Sequence, residues 1–313
     1  IINEGIASLK KDFIHISDLS KDEIMETINL ALHVKSKFYN REDYLPFKGY
    51  TLAMIFAKPS ARTRISFETG FSRMGGKAIY LGPDDIGIGK REAVKDIARV
   101  ISNYNDLIMA RLFQHEHLLE LAKYASVPVI NGLTDFNHPC QIMCDVFTIF
   151  ENKGHLDNLK IVYVGDGNNI VNSWLIMASI LPMHFVCVCP SGYEPDNELM
   201  NKVRSSKIST FELSHNPFES VIGADIIYTD VWASMGQKNE AKSRVKTFLK
   251  YQVNSDMLSK TNKNTLFMHC LPAERGRETT DNVMESKNSI VFQQAENRMH
   301  IQNAIMLKLF NKG

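Results

Sequence analysis

The sequence contains no apolar run near the roughly 20 residues a helix needs to cross a bilayer. No surplus of charge stands in its place: 36 Lys and Arg oppose 35 Asp and Glu, leaving +1, with no polybasic run and no acidic tail. That balance removes the electrostatic ground for a nucleic-acid partner or a membrane surface and favours small-molecule chemistry. Cysteine is scarce. Cys140, Cys144, Cys187, Cys189 and Cys270 form neither zinc-finger spacing nor a Cys-x-x-Cys pair, which fits a reducing compartment. Cys187 and Cys189 alternate along an apolar run and are expected to be buried strand thiols without a function. The amino terminus lacks the basic-then-apolar pattern of a signal peptide and a cytoplasmic protein is expected, while a start at Ile1-Ile2 without methionine leaves open a mature form with a targeting peptide removed. Internal repeats and low-complexity tracts are absent from the sequence as well.

What is present is alternation. Apolar β-rich runs at 52–56, 106–109, 127–131, 161–165, 185–189, 225–229 and 265–268 are separated by segments of helical period. The fold class this implies is α/β, with parallel sheets flanked by crossover helices. A chain of 313 residues exceeds the usual reach of one core, so two domains are expected. The opening helix has Asp18 or Ser20 as cap and Ile24, Ile28, Ala31 and Val34 as its apolar stripe. A helix from about Pro139 to Phe150 ends near Asn152-Lys153-Gly154, after which the alternation restarts. The expected division is therefore 1–152, 153–293, and a final helical segment 294–313.

Residues with chemical capacity sit where strands end. Ser60-Ala61-Arg62-Thr63-Arg64 follows the first run and opens a helix, where free N–H groups, hydroxyls and a guanidinium fork together suit a phosphate. Seen alone, such a segment is more often just a capped helix start. Arg111 follows the run ending at Ala110, and His138 precedes Pro139 and Gln141; both lie at exits suited to a crevice. Gly165-Asp166-Gly167-Asn168-Asn169 suggests a dinucleotide loop, but Ile170 stands where the third glycine would be needed. Asn168 and Asn169 instead offer neutral donors and acceptors for a zwitterionic amino acid. Asp230, before Val231-Trp232-Ala233-Ser234-Met235-Gly236, can pair with an ammonium, and Met268-His269-Cys270-Leu271-Pro272-Ala273-Glu274-Arg275-Gly276-Arg277 closes the set.

The first and last two of these segments together resemble the ornithine carbamoyltransferases of the aspartate/ornithine carbamoyltransferase superfamily. The resemblance implies a carbamoyl-phosphate-binding first domain, an ornithine-binding second domain and a carboxyl-terminal helix that returns to the first. It implies that Ser60, the backbone of Ala61, Arg62 and Thr63 hold the phosphate. Ala61 replaces a threonine of the family loop, and Arg64 matches it. Arg111 and His138 would donate to the carbonyl oxygen and Gln141 would hold the amino group. Arg298 would reach toward carbamoyl phosphate. Asn168, Asn169, Asp230, Ser234 and Met235 would grip L-ornithine, while Cys270 and the Leu271 carbonyl border carbamoyl phosphate and accept from the δ-amine. Arg111, His138, Asp230 and Cys270 are thus the catalytic set. The product is L-citrulline, no metal or cofactor is called for, and arginine biosynthesis is the implied setting. A homotrimer is also implied, in which the loop 82–92 of a neighbour completes each site. Gly87 stands where relatives offer Gln or His, with Lys90 or Arg91 as substitutes.

Other readings stay open on the residues alone. A carbamoyltransferase for putrescine or aspartate would keep the phosphate loop, although Ser234-Met235-Gly236 and His269-Cys270-Leu271-Pro272 favour ornithine, and Asp230 stands where an aspartate enzyme would want a cation. A non-catalytic regulator could retain the fold, and Ala61 and Gly87 lend it some support. A dehydrogenase is disfavoured by the incomplete glycine pattern, and a nucleophilic Cys270 by the fact that an amine needs no acyl-enzyme step.

Overall fold

A computed structural model describes residues 11–89, 91–233 and 241–312. The chain falls into two compact units, residues 1–140 with 299–313 and residues 141–298. The cuts lie inside the helices Pro139–Lys153 and Val291–Leu309.

The first unit holds strands β1 (Thr51–Phe56), β2 (Lys77–Leu81), β3 (Leu107–Arg111) and β4 (Val129–Leu133), in the order β2-β1-β3-β4 and all parallel. β1 is buried from Leu52 to Phe56, as a strand covered on both faces must be. On one face Ala53, Ile55, Ile108 and Ala110 pack with Val94, Ile97, Leu118 and Leu121 from two crossover helices. The opening helix, Lys21–Tyr39, is capped by Ser20: its Oγ accepts from Glu23 N–H and the Glu23 carboxylate accepts from Ser20 N–H. Asp18 serves the preceding turn instead, accepting from Ile14 and His15 N–H. Ile24, Ile28, Ala31 and Val34 are fully buried, and each large aliphatic among them stabilises by about 1.5–3 kcal/mol relative to exposure. The carboxyl-terminal segment belongs to this unit, where Lys308 pairs with Glu26 at 2.6 Å and Asn303 packs on Gly70.

The second unit holds β5 (Lys160–Val164), β6 (His184–Val188), β7 (Thr210–Ser214), β8 (Ile226–Thr229) and β9 (Leu266–His269), ordered β7-β6-β5-β8-β9 and again all parallel. Val162, Val164, Val186, Ile227 and Phe267 form its core with Phe248, Met257 and Val283. Cys187 and Cys189 are buried thiols, as their alternation implies. Two strands have no counterpart in the sequence reading, β2 and β7. Both are sheet edges with half-exposed residues; the glutamate of β7 interrupts its apolar residues, whereas β2 carries the short run Ala78-Ile79-Tyr80-Leu81, which the alternation of runs does not include. Among the described residues, no helix is long and apolar enough to cross a membrane.

Candidate active site

In the first unit, chemistry gathers where β1 and β3 stop side by side, with Phe56 opposite Arg111 in the register. After β1 the chain runs through Lys58 and Pro59 to Ser60, the cap of helix Ala61–Arg73. Ser60 is extended, its Oγ accepting from Thr63 N–H at 3.4 Å and donating to Thr63 Oγ1 at 3.1 Å. Arg111 Nη1 donates to the same Thr63 Oγ1 at 3.4 Å. Sheet order thus joins a helix N-terminus, two hydroxyls and a guanidinium, a donor set with the charge and direction an anion needs. Ala61 and half-buried Arg62 occupy the first turn. Arg64 turns away from this set. Its Nε pairs with Glu68 at 3.0 Å and its guanidinium lies 4.2 Å from the Tyr80 ring centroid.

His138 is buried behind a hydrogen-bonded loop that the sequence did not reveal. Asn137 Oδ1 accepts from Asn131 Nδ2 at 2.5 Å and from Thr134 Oγ1 at 3.3 Å, while Asn137 Nδ2 donates to the Ile14 carbonyl at 3.2 Å and meets His15 Nδ1 at 2.8 Å. Thr134 Oγ1 also meets His115 Nδ1 at 2.9 Å, and burial pushes the His115 imidazole below its ordinary value, toward the neutral form. The loop before His138 is therefore held by buried, mostly neutral hydrogen bonds, and no local pattern announces partners so far apart in sequence.

In the second unit, β5, β8 and β9 are neighbours, so their carboxyl ends bring Asn168, Asp230 and Cys270 together. Asn168 caps helix Asn169–Ala178 through Oδ1, which accepts from Ile170 N–H at 2.9 Å, and its Nδ2 donates to Asp230 Oδ2 at 2.9 Å. Asp230 Oδ1 accepts from Val231 N–H at 2.8 Å and from the Cys270 thiol at 3.0 Å. Burial, and then the Asp230 charge, push the Cys270 thiol well above its ordinary value. Cys270 is thus a protonated donor to a carboxylate, the opposite of an activated nucleophile. Half-buried Asn169 lies on the first helical turn. Leu271 adopts φ 60° before a cis Leu271–Pro272 bond; the left-handed conformation costs a leucine about 1–3 kcal/mol.

Of the two glycines that suggested a dinucleotide, Gly167 has a packing reason and Gly165 a conformational one. A Cβ on Gly167 would meet Pro195 N at 2.4 Å and the Glu194 carbonyl carbon at 2.6 Å, and Gly165 holds φ 152°. The close approach is to this chain's own backbone rather than to a pyrophosphate.

Asp230, His269 and Cys270 present ligand atoms within 4.8 Å of one another. Both nitrogens of His269 are nevertheless engaged: Nδ1 accepts from Leu271 N–H at 2.9 Å, and Nε2 meets Glu278 Oε1 at 3.1 Å. The first contact requires the Nε2–H tautomer, which leaves no lone pair for a metal. His269 is better understood as a buried strut of the Cys270 loop.

Sequence reasoning also missed Arg244. Buried in helix Ala241–Phe248, it donates to Asp166 Oδ2 and to the Trp232 carbonyl, each at 2.9 Å, and so ties the loop after β8 to the loop after β5. A single arginine in a polar helix gives no signal of that role. Gln141 lies on the first turn of Pro139–Lys153, buried, with Nε2 donating to Asp145 Oδ1 at 2.8 Å. Arg298 is buried within Val291–Leu309. Gly87 holds φ 52° as the cap of a short helix, and a Cβ there would meet Arg91 Cβ at 2.9 Å. The turn itself therefore selects glycine at that position. Ser234, Met235, Gly236 and Lys90 lie outside the described residues.

Comparison with known proteins adds an independent finding. The sequence profile described as "Aspartate/ornithine carbamoyltransferase, carbamoyl-P binding domain" matches residues 11–151, and "Aspartate/ornithine carbamoyltransferase, Asp/Orn binding domain" matches residues 157–309. The chain is 58% identical over 303 residues to the chloroplastic ornithine carbamoyltransferase of Pisum sativum, covering 96% of this chain and 81% of that one. It is 46% identical over 312 residues to the ornithine carbamoyltransferase of Chlorobaculum tepidum, covering 99% and 92%. Among solved structures, the ornithine carbamoyltransferase from Pyrococcus furiosus matches with a TM-score of 0.91 at 45% identity, covering 95% of this chain and 96% of that one.

Proposed function

This chain belongs to the aspartate/ornithine carbamoyltransferase family, and from that premise we propose how its residues divide the work of ornithine carbamoyl transfer. The carbamoyl group of carbamoyl phosphate passes to the δ-amine of L-ornithine. The amine lone pair forms the new C–N bond, the C–O bond to phosphate breaks, the nitrogen loses a proton, and L-citrulline and phosphate leave.

Ser60, the Ala61 N–H, Arg62 and Thr63 take the phosphate in this reading, with Arg298 as a further cation. Arg111 and His138 donate to the carbonyl oxygen, which gains negative charge during attack. Gln141 accepts from the amino group. Asn168, Asn169 and Asp230, with Ser234 and Met235, hold ornithine by its α-amino-acid end, while Cys270 and the Leu271 carbonyl border the transferred group.

The observation that supports the ornithine half best is the buried Asp230 carboxylate, which among the described residues accepts from neutral donors, Asn168 Nδ2, the Val231 N–H and the Cys270 thiol. A carboxylate so placed is the partner a substrate ammonium requires. The δ-amine must instead be neutral. With an ordinary amine value near 10.4, deprotonation at pH 7.4 costs about 4 kcal/mol, which nearby guanidinium groups and desolvation reduce. Holding both substrates in register contributes about 7–11 kcal/mol against the bimolecular reference, so transfer without metal or cofactor is chemically sufficient.

The same reading takes the protein as a homotrimer of the cytoplasm acting in arginine biosynthesis. Five buried cysteines, none of them in a disulfide, support a reducing location. The decisive assay measures citrulline and phosphate from carbamoyl phosphate with ornithine, putrescine and aspartate supplied separately. Ornithine-dependent formation of both products is expected. Turnover with another amine alone would overturn the assignment of Asn168 and Asp230.

A further inference from the structure

Gln141 can hold an amino group only if its oxygen, not its nitrogen, is the atom left for substrate. An amide can be turned either way, so something in the fold must choose. The choice is legible along a chain of four buried groups in the second unit. The backbone N–H of His269 donates to Gln294 Oε1 at 3.0 Å. A backbone N–H can only donate, so this contact fixes the oxygen of Gln294 toward β9 and its nitrogen away. Gln294 Nε2 then donates to Asp145 Oδ1 at 2.7 Å and approaches the Tyr228 hydroxyl at 3.4 Å. Asp145 Oδ1 is therefore an acceptor whether or not its other oxygen carries a proton. Gln141 presents its nitrogen to the same Oδ1, at 2.8 Å. Its Oε1 is left buried and, among the described residues, without a hydrogen-bond partner.

We propose that Asp145 and Gln294 are positioning residues for carbamoyl transfer, relaying the polarity of the His269 backbone to Gln141 so that Gln141 Oε1 stands as the acceptor for the carbamoyl N–H₂. This rests on the reading of Gln141 as the amino-group contact and names what makes that contact directional. An unsatisfied buried acceptor is costly, so filling it with an N–H discriminates strongly against a substrate that offers a methyl group there. The backbone donor at the head of the relay belongs to the residue before Cys270, so the loop beside the ornithine groups also sets the orientation of a donor-substrate contact.

The test compares two stable competitors of carbamoyl phosphate that differ only at that position: phosphonoacetamide, which keeps the NH₂, and 2-oxopropylphosphonate, which carries a methyl. The readout is the ratio of their inhibition constants on one preparation, a quantity that an inactive fraction does not alter. The wild-type protein is expected to favour the amide by roughly ten- to a hundredfold. Asp145→Asn should retain that preference, because Gln294 still donates to the new amide oxygen and that oxygen still accepts from Gln141. Asp145→Asn combined with Gln294→Glu keeps size and formal charge but reverses the relay. The carboxylate introduced by the second substitution can only accept, so the amide nitrogen introduced by the first turns toward it and toward Gln141. Gln141 must then present its own nitrogen to substrate. The preference is expected to vanish or invert. A double variant that keeps the full preference, or a single Asp145→Asn that loses it, overturns the relay. Gln141→Leu separates the layers. Loss of preference there with an intact double variant sinks the relay alone, whereas an unchanged ratio sinks the Gln141 contact and the relay with it.

Discussion

Arg111 and Asp230 carry opposite halves of the chemistry, and their loss should be told apart by which kinetic constant moves. Arg111→Ala removes a donor to the developing oxyanion and should lower kcat about 10²–10³-fold while ornithine affinity stays near normal. Steady-state kinetics with both substrates varied checks this, and an unaltered kcat removes Arg111 from the carbonyl. Asp230→Ala should raise the ornithine KM by roughly ten- to a hundredfold, the loss of a charged hydrogen-bond partner. Ornithine affinity at the wild-type level would exclude it from the site. Both residues were legible in the sequence because each directly follows or ends an apolar strand, and strand ends are where a parallel α/β fold exposes polar groups. Asn137, Asp145 and Arg244 were not legible. Each has a partner in another element, as with Asp145 and Gln294 or Arg244 and Asp166, and no spacing rule encodes such a meeting.

The elements behave as the apolar pattern dictates wherever both faces of a strand are covered. The seven apolar runs correspond to strands, whereas the two half-exposed edges escape, β7 because Glu212 interrupts it and β2 although Ala78-Ile79-Tyr80-Leu81 is an apolar run. Helix ends were read less well than helix middles. The final helix begins at Val291, three residues before the expected segment 294–313, since its first turn carries polar residues such as Gln293 and Gln294. The loop between β5 and its helix has one position that admits no side chain. Gly167→Ala should destabilise by about 1–3 kcal/mol, the usual penalty of overpacking, because the new Cβ meets backbone that cannot rotate aside. Urea denaturation measures the loss, and the displaced Asn168 should raise the ornithine KM in parallel. Equal stability of the two proteins would show that the 193–195 segment yields freely.

At the scale of the whole molecule, Asp145 should shape the dependence of stability on pH. Burial raises its carboxyl from the ordinary 3.8 to about 7, against the hydrogen bonds from Gln141, Gln294 and Tyr228 and the charge of Arg298. A raised carboxyl binds its proton more tightly in the folded state than in the unfolded one, so stability falls as pH climbs from about 4 through 7. The full shift corresponds to about 4 kcal/mol. Asp145→Asn cannot titrate, so its stability relative to wild type should improve steadily across that interval and level off above pH 8. Denaturation curves at a series of pH values check it, and a flat difference would show that Asp145 ionises normally. The near-neutral charge of the sequence foretold none of this, because a net charge sums over groups regardless of which one is buried.

All five cysteines lie in the interior, and for a spectroscopist that is a gift of background. A single cysteine introduced on the exposed surface should take up one maleimide dye per chain, with no native thiol to remove beforehand, so fluorescence could follow the working protein in an otherwise unaltered sequence.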